Sequence, residues 1–267
     1  MTKHPFPTAL TIAGSDPSGG AGIQADLKVF HQFGVYGMSV LTLLTVQNTK
    51  KVSRVEPVSA DLLCEQLESV LEDIPPGAAK SGALGSTEIV LTLAECASKF
   101  DFPLVVDPAA VSTQGQRLIE EAAIDALRAQ LIPRSFLLTP NLAEASLLTG
   151  NKIKTVSEMQ DAARTLQAMG AKNVLVKGGH LEDTATDVLL LESGAWHEFQ
   201  APMFATPHTH GTGCSLSAAI TAGLAQGKNV FASVSIAKDY ITEAIRTAPK
   251  LGGGNGPINH FVRPNAR

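Results

Sequence analysis

Short apolar runs alternate along this chain with stretches that keep helical spacing. Thr8–Ala13, Ser39–Val46, Leu104–Val106, Phe136–Thr139 and Asn173–Lys177 read as buried strands. Several are apolar almost throughout, the pattern of strands covered on both faces. Between them, Ile23, Leu27 and Phe30 share one helical face, and so do Leu63, Leu67 and Val70. Val230, Val234, Ala237, Ile241 and Ala244 hold the same spacing over about four turns. The alternation predicts an α/β fold with a mostly parallel sheet and helices on both faces. Thr184–Glu192 and Ala195–Gln200, around Ser193-Gly194, fit an antiparallel pair. No Pro/Gly/Ser-rich linker or internal repeat divides the chain, and Gly252–Gly256 reads as a loop. Residues 1–267 are therefore expected to form one domain.

Composition narrows the partners. The 267 residues are 44% hydrophobic and 17% charged, with a mean hydropathy of +0.12, enough apolar surface for a deep core. A net charge of −4 without any Lys/Arg cluster argues against nucleic acid, whose phosphates are gripped by basic patches. No apolar run reaches the length of a bilayer span, and the first residues turn polar and glycine-rich too early for a secretory leader. Cys64, Cys96 and Cys214 are odd in number and far apart, without a C-x-x-C, so neither a disulfide framework nor a zinc site is expected. A reduced, cytoplasmic protein is the expectation.

In open α/β sheets ligands collect at the carboxyl ends of the strands, so the residues just after each strand carry the interest. The first strand runs into a glycine-rich turn, Ala13–Asp26, whose Gly19, Gly20 and Gly22 match neither G-x-G-x-x-G nor a P-loop. It reads either as a tight turn with a helix cap or as a backbone close to a small ligand, with Asp16 or Asp26 accepting hydrogen bonds from it. Gln47 ends the second strand; its amide suits a heterocycle with adjacent donor and acceptor atoms, or it satisfies nearby backbone. Asp107 follows a third strand. Asn141 and Glu144, three apart on a helix, follow a fourth. With Asp107 they suit hydrated magnesium beside phosphates, although N-x-x-E also makes an ordinary helix start. Lys177 ends a fifth strand, where a cation offsets phosphate charge or simply meets solvent. Last comes the stretch HGTGC. Gly211, Thr212, Gly213 and Cys214 can turn backbone N–H groups toward one point at a helix start, an anion site. Its field lowers a cysteine's pKa, which makes Cys214 either a base toward a hydroxyl or a small buried hydrophobe.

Taken together, TIAGSDPSGGAGIQADLK, VQNT, DP, TPNLAEA, VLVKGGH, HGTGC and GNGPINHF resemble the hydroxymethylpyrimidine/phosphomethylpyrimidine kinases of the ribokinase-like superfamily, in family order from about Ala9 to Phe261. The resemblance implies a three-layer α/β/α fold and a homodimer. It implies transfer of the ATP γ-phosphate to 4-amino-5-hydroxymethyl-2-methylpyrimidine and then to its monophosphate. By the same resemblance Gln47 pairs with the pyrimidine edge, and Gly14 and Asp26 line the substrate pocket. Asp107, Asn141 and Glu144 serve Mg2+ and phosphates, joined by Lys177, and Gly211–Cys214 form the anion hole with Cys214 as base.

Two stretches depart from the family pattern. Ala83 stands where K-T-G-M-L has methionine, and Ala109 and Ala110 stand where D-P-V-M has valine and methionine. If these alanines face the pocket, it is roomier and grips a flat pyrimidine less tightly. A pyridoxal or pyridoxine kinase of the same fold is therefore the alternative. A binding protein without turnover is disfavoured by the presence of metal ligands, anion hole and base together.

Overall fold

The computed structural model describes residues 5–110, 119–179 and 185–264; His180 and Thr184, which fall in two of the stretches above, lie outside them. The described strands are β1 (Thr8–Ser15), β2 (Tyr36–Gln47), β3 (Val52–Pro57), β4 (Ala78–Ser81), β5 (Leu104–Val106), β6 (Leu137–Leu138), β7 (Asn173–Val176), β8 (Asp187–Leu190) and β9 (Trp196–Phe199). They form one sheet in the order β3-β2-β1-β4-β5-β6-β7-β8-β9. From β2 to β7 every neighbouring pair is parallel. β3 closes one edge antiparallel, and β8 and β9 close the other.

The α-helices are α1 (Gly22–Gln32), α2 (Ala60–Asp73), α3 (Thr87–Ala97), α4 (Glu121–Ala126), α5 (Leu142–Thr149), α6 (Val156–Ala168), α7 (Thr212–Ala225) and α8 (Val230–Arg246). α1, α7 and α8 cover one face of the sheet, and the other five cover the opposite face. Because successive strand residues point to opposite faces, each central strand feeds two cores. Leu104 and Val106 join the core under α2–α6, while Val105 joins the one under α1, α7 and α8. Val174 and Val176 divide from Leu175 in the same way. That is why these strands are apolar throughout. The three layers are those the sequence pattern called for. Among the described residues no helix is long and apolar enough to cross a membrane.

Two cysteines that sit far apart in sequence are neighbours in space. Cys64 lies on α2 and Cys96 on α3, and burial together with this neighbour pushes the Cys96 thiol up to about 11.

The chain returns to the α7 layer near its end, where His260 Nε2 lies 3.1 Å from Ser215 Oγ. Burial, with help from the charges of Lys28 and His210, holds His260 down to about 4 from the usual 6.5. Between these values the folded chain binds fewer protons than the unfolded one, so stability falls as pH drops through that window. The loss is at most about 3 kcal/mol. Thermal denaturation from pH 7 to pH 4 tests this: His260→Gln should flatten the fall, and an unchanged pH dependence would refute the assignment.

Candidate active site

The sheet order reverses beside β1, since the chain goes out to β2 and β3 and then returns across β1 to β4. Such a switch point opens a crevice at the strands' carboxyl ends. A cavity of about 370 Å³ lies there, lined by the ends of β1, β2, β5 and β7 and by the start of α7.

One end of the cavity is built on a hairpin. β2 outlasts β1: Ser15 pairs with Leu44, and beyond it Thr45–Gln47 pair only with β3. Alternation then sets Leu43, Thr45 and Gln47 on the cavity wall, whereas Leu44 and Val46 point away and stand 50% and 58% exposed. Gly14 lines the wall beside them.

The glycine-rich turn is organised by Asp16. Its carboxylate accepts the Ser18 N–H at 2.8 Å and hydroxyl at 2.7 Å, the Gly20 N–H at 3.1 Å and the Ala21 N–H at 2.9 Å. His210 Nε2 stands 2.8 Å from the same Oδ2. Burial opposes the charge, yet hydrogen bonds from His210, Gln47 and Ser18 hold the Asp16 carboxyl well below the usual carboxylate range. The turn is thus tightened by Asp16 and also lines the cavity, while the N-cap of α1, Ala21, carries no side-chain cap.

Asp26 does not take the substrate-facing place expected of it. It lies on the buried side of α1, away from the cavity wall, with its side chain 0% exposed. Lys80 Nζ bonds both its oxygens at 3.0 and 2.9 Å, and the Thr11 hydroxyl donates at 2.6 Å. Burial pushes this carboxyl up, while the same carboxylate holds the buried Lys80 ammonium up. Asp26 secures α1 to β1 and β4.

The other end gathers the remaining strand-end residues. Lys177 Nζ is 3.0 Å from Asp107 Oδ1, and the Ser217 hydroxyl of α7 donates to Asp107 Oδ2 at 3.2 Å. Asn141 and Glu144 cap α5 reciprocally at 2.9 Å each way, and Glu144 Oε1 also accepts the Ala110 N–H at 3.1 Å. The helix-start reading of N-x-x-E therefore holds, while both residues also line the cavity. Burial pushes Glu144 up to about 6 against the pull of Lys177, and the Asp107 charge adds to the rise.

Between the two ends stands α7. Its N-cap, Gly211, has φ 81° and no capping side chain. Thr212 uses its own N–H and hydroxyl on Thr209 O at 3.2 and 2.7 Å. The Gly213 and Cys214 N–H groups are those a helix's first turn leaves over. A β-carbon on Gly213 would lie 3.4 Å from Lys177 Nζ and 3.9 Å from Asp107 Oδ2, so this helix start faces the cation and carboxylate directly. Cys214 lines the same wall. Its thiol departs from the sequence expectation: burial pushes it up to about 11, outweighing Lys80 and the Gly22 N–H that pull it down.

Ala83 and Ala109 stand on the cavity wall. Ala110 does not; it is 2% exposed within the core under α2–α6. Sequence reasoning missed the far wall, where Met203, Phe204 and Lys238 meet the cavity. Lys238 gave a signal, falling one turn from Val234 on the apolar stripe of α8. It bonds Asp187 Oδ2 at 2.7 Å and Ala185 O at 2.8 Å.

An unblocked helix start that faces a lysine and two carboxylates across a strand-end cavity belongs to a small-molecule kinase of the ribokinase-like fold. Residues 16–259 match the family model described as phosphomethylpyrimidine kinase. A hydroxymethylpyrimidine/phosphomethylpyrimidine kinase of Haemophilus influenzae is 44% identical, over 95% of this chain and 96% of its own. The thiamine biosynthesis bifunctional protein ThiED of Geobacter sulfurreducens is also 44% identical, over 97% of this chain, which spans 54% of that longer protein. The solved pyridoxal kinase of Bacillus subtilis in complex with ADP superposes with a TM-score of 0.88 at 38% identity, covering 96% of this chain and 97% of its own. The chain belongs to the phosphomethylpyrimidine kinase family.

Proposed function

We propose that this protein phosphorylates 4-amino-5-hydroxymethyl-2-methylpyrimidine and then its monophosphate, with ATP as donor, in thiamine biosynthesis. The observation that carries the reading is one cavity with Gln47 at one end, Lys177, Asp107 and Glu144 at the other, and the α7 start with Cys214 between them. The substrate hydroxyl attacks the γ-phosphorus as the Cys214 thiolate takes its proton and becomes the thiol; the new O–P bond forms while the bond to ADP breaks. The Gly213 and Cys214 N–H groups receive charge that spreads onto the phosphoryl oxygens. Lys177 meets the phosphates.

Among the described residues no group of three or more His, Cys, Asp or Glu side chains is placed to hold a metal by itself. Magnesium takes one or two carboxylates and fills its shell with water and phosphate oxygens. Asp107 and Glu144, both hard oxygen donors on the cavity wall, would hold it. Bound there, Mg2+ supplies positive charge to the transferring phosphates. The reading includes a single kinase domain working in the cytoplasm as a homodimer, and sedimentation tests the last point.

Release of ADP with the pyrimidine alcohol, its monophosphate and pyridoxal offered in turn tests the proposal. Absence of ADP with all three would overturn it. Pyridoxal is included because Ala83 and Ala109 both face the cavity, which favours a second reading as a vitamin B6 kinase. The Gln47→Ala variant should raise the KM for the pyrimidine about tenfold and that for ATP by less than about twofold, the pattern for loss of a hydrogen-bonding pair to one ligand. Equal effects on both would refute the role of Gln47.

A further inference from the structure

The pyrimidine end and the phosphate end of the cavity are joined through a buried pair that the chemistry above leaves unused. Asp16 and His210 are 194 positions apart, with side chains 2% and 7% exposed. Asp16 is held ionised and can only accept, so His210 Nε2 carries the proton between them. On one side Asp16 lines the cavity together with Gln47, whose amide helps to hold its charge, and it accepts the N–H groups of Gly20 and Ala21. On the other, His210 immediately precedes Gly211, the N-cap of α7. The His210 backbone is gripped as well, with its N–H on Gly256 O at 3.1 Å and its carbonyl accepting the Ile258 N–H at 3.4 Å.

The two loops touch without slack. A β-carbon on Gly20 would lie 2.5 Å from His210 Cδ2, and one on Gly211 would lie 1.8 Å from Gly20 O. The glycine-rich turn and the start of α7 are therefore in close contact, with no room for a side chain between them. A ligand that draws on the Gln47 amide changes what Asp16 receives, and Asp16 holds the ring that sets α7.

We propose that the Asp16–His210 pair couples the pyrimidine pocket to the anion hole, with His210 a positioning residue through which each ligand raises affinity for the other. A purely structural buried pair would contribute fold stability without linking two ligands, and such pairs are often replaceable at little cost. A coupling element links them reciprocally. The inference rests on the kinase reading, but its test uses binding alone and so is scored separately from turnover.

Calorimetric titration with a non-hydrolysable ATP analogue, with and without the pyrimidine alcohol, is the experiment. In the unaltered protein the alcohol should tighten analogue binding about fivefold or more. His210→Ala should bring this factor to within about twofold of unity. His210→Gln, which sets an amide N–H near the position of Nε2, should restore most of it. Absence of coupling in the unaltered protein, or full coupling in His210→Ala, overturns the proposal. So does a parallel loss of both affinities and of Tm in His210→Ala that His210→Gln does not rescue, since that marks a structural role. Failure of the unaltered protein to release ADP bears on the kinase reading only.

Discussion

Replacing Cys214 with alanine should lower kcat by about 10²–10⁴-fold while the ATP analogue still binds, because under the proposed mechanism the change removes the proton acceptor and leaves the phosphate contacts in place. A thiol held at about 11 is rarely ionised near neutrality, so the thiolate fraction grows tenfold with each pH unit up to that value. The rate of the unaltered enzyme should rise with pH over this range, and the residual rate of Cys214→Ala should not. Alkylation resolved by mass spectrometry gives the matching chemical signature: Cys214 in the empty protein should react slowly at pH 7 and faster as pH rises toward 11. A near-normal rate in Cys214→Ala would remove the cysteine from the role of base, and rapid alkylation at pH 7 would overturn the raised pKa. The sequence pointed the other way on this pKa, since a helix N-terminus favours thiolate. Enclosure among Asp26, Asp107 and apolar neighbours wins over that field.

Gly211→Ala should do comparable damage by another route. At φ 81° an alanine is strained by about 1–2 kcal/mol before any contact is considered. Its β-carbon would then lie 1.8 Å from Gly20 O and 2.8 Å from Gly20 C, and backbone has no rotamer to turn away. Either the glycine-rich turn, fixed by Asp16, or the start of α7 has to move by more than an ångström. Misplacement of that size costs about 10²-fold in rate. We expect kcat to fall about 10²–10³-fold with a lowered Tm. Gly213→Ala is the control, because its β-carbon meets Lys177 Nζ, the end of a flexible side chain, at 3.4 Å. Its Tm should stay near that of the unaltered protein, and an unperturbed Gly211→Ala would show that the contact is not confining.

Much of the fold could be read from apolar pattern because strands fed from both faces leave long uninterrupted runs. β3 and β4 escaped notice for the opposite reason. β3 is an edge strand with a largely polar face, and the four residues of β4 include Lys80 and Ser81. The site was legible where a side chain follows directly from the end of its strand, as with Gln47, Asp107 and Lys177. It was not legible where burial depends on a distant partner. Asp26 looks like a pocket carboxylate until Lys80, 54 positions away, is placed against it. Cys64 and Cys96 become neighbours only once α2 packs on α3. His210 stood within a motif already singled out, but no local pattern links it to Asp16.

The three alanines divide in a way that bears on how such an enzyme acquires new substrates. Ala83 and Ala109 sit on loops beyond β4 and β5, facing open space, whereas Ala110 is sealed into a core and gives its N–H to Glu144. Side-chain volume at Ala83 can change what enters without disturbing either packed layer, whereas Ala109, at φ 43°, takes a larger or β-branched side chain only with backbone strain. At Ala110, added volume must displace core atoms and pull on Glu144. Of the three positions, Ala83 is thus the one at which cavity shape can change at least cost to backbone and core.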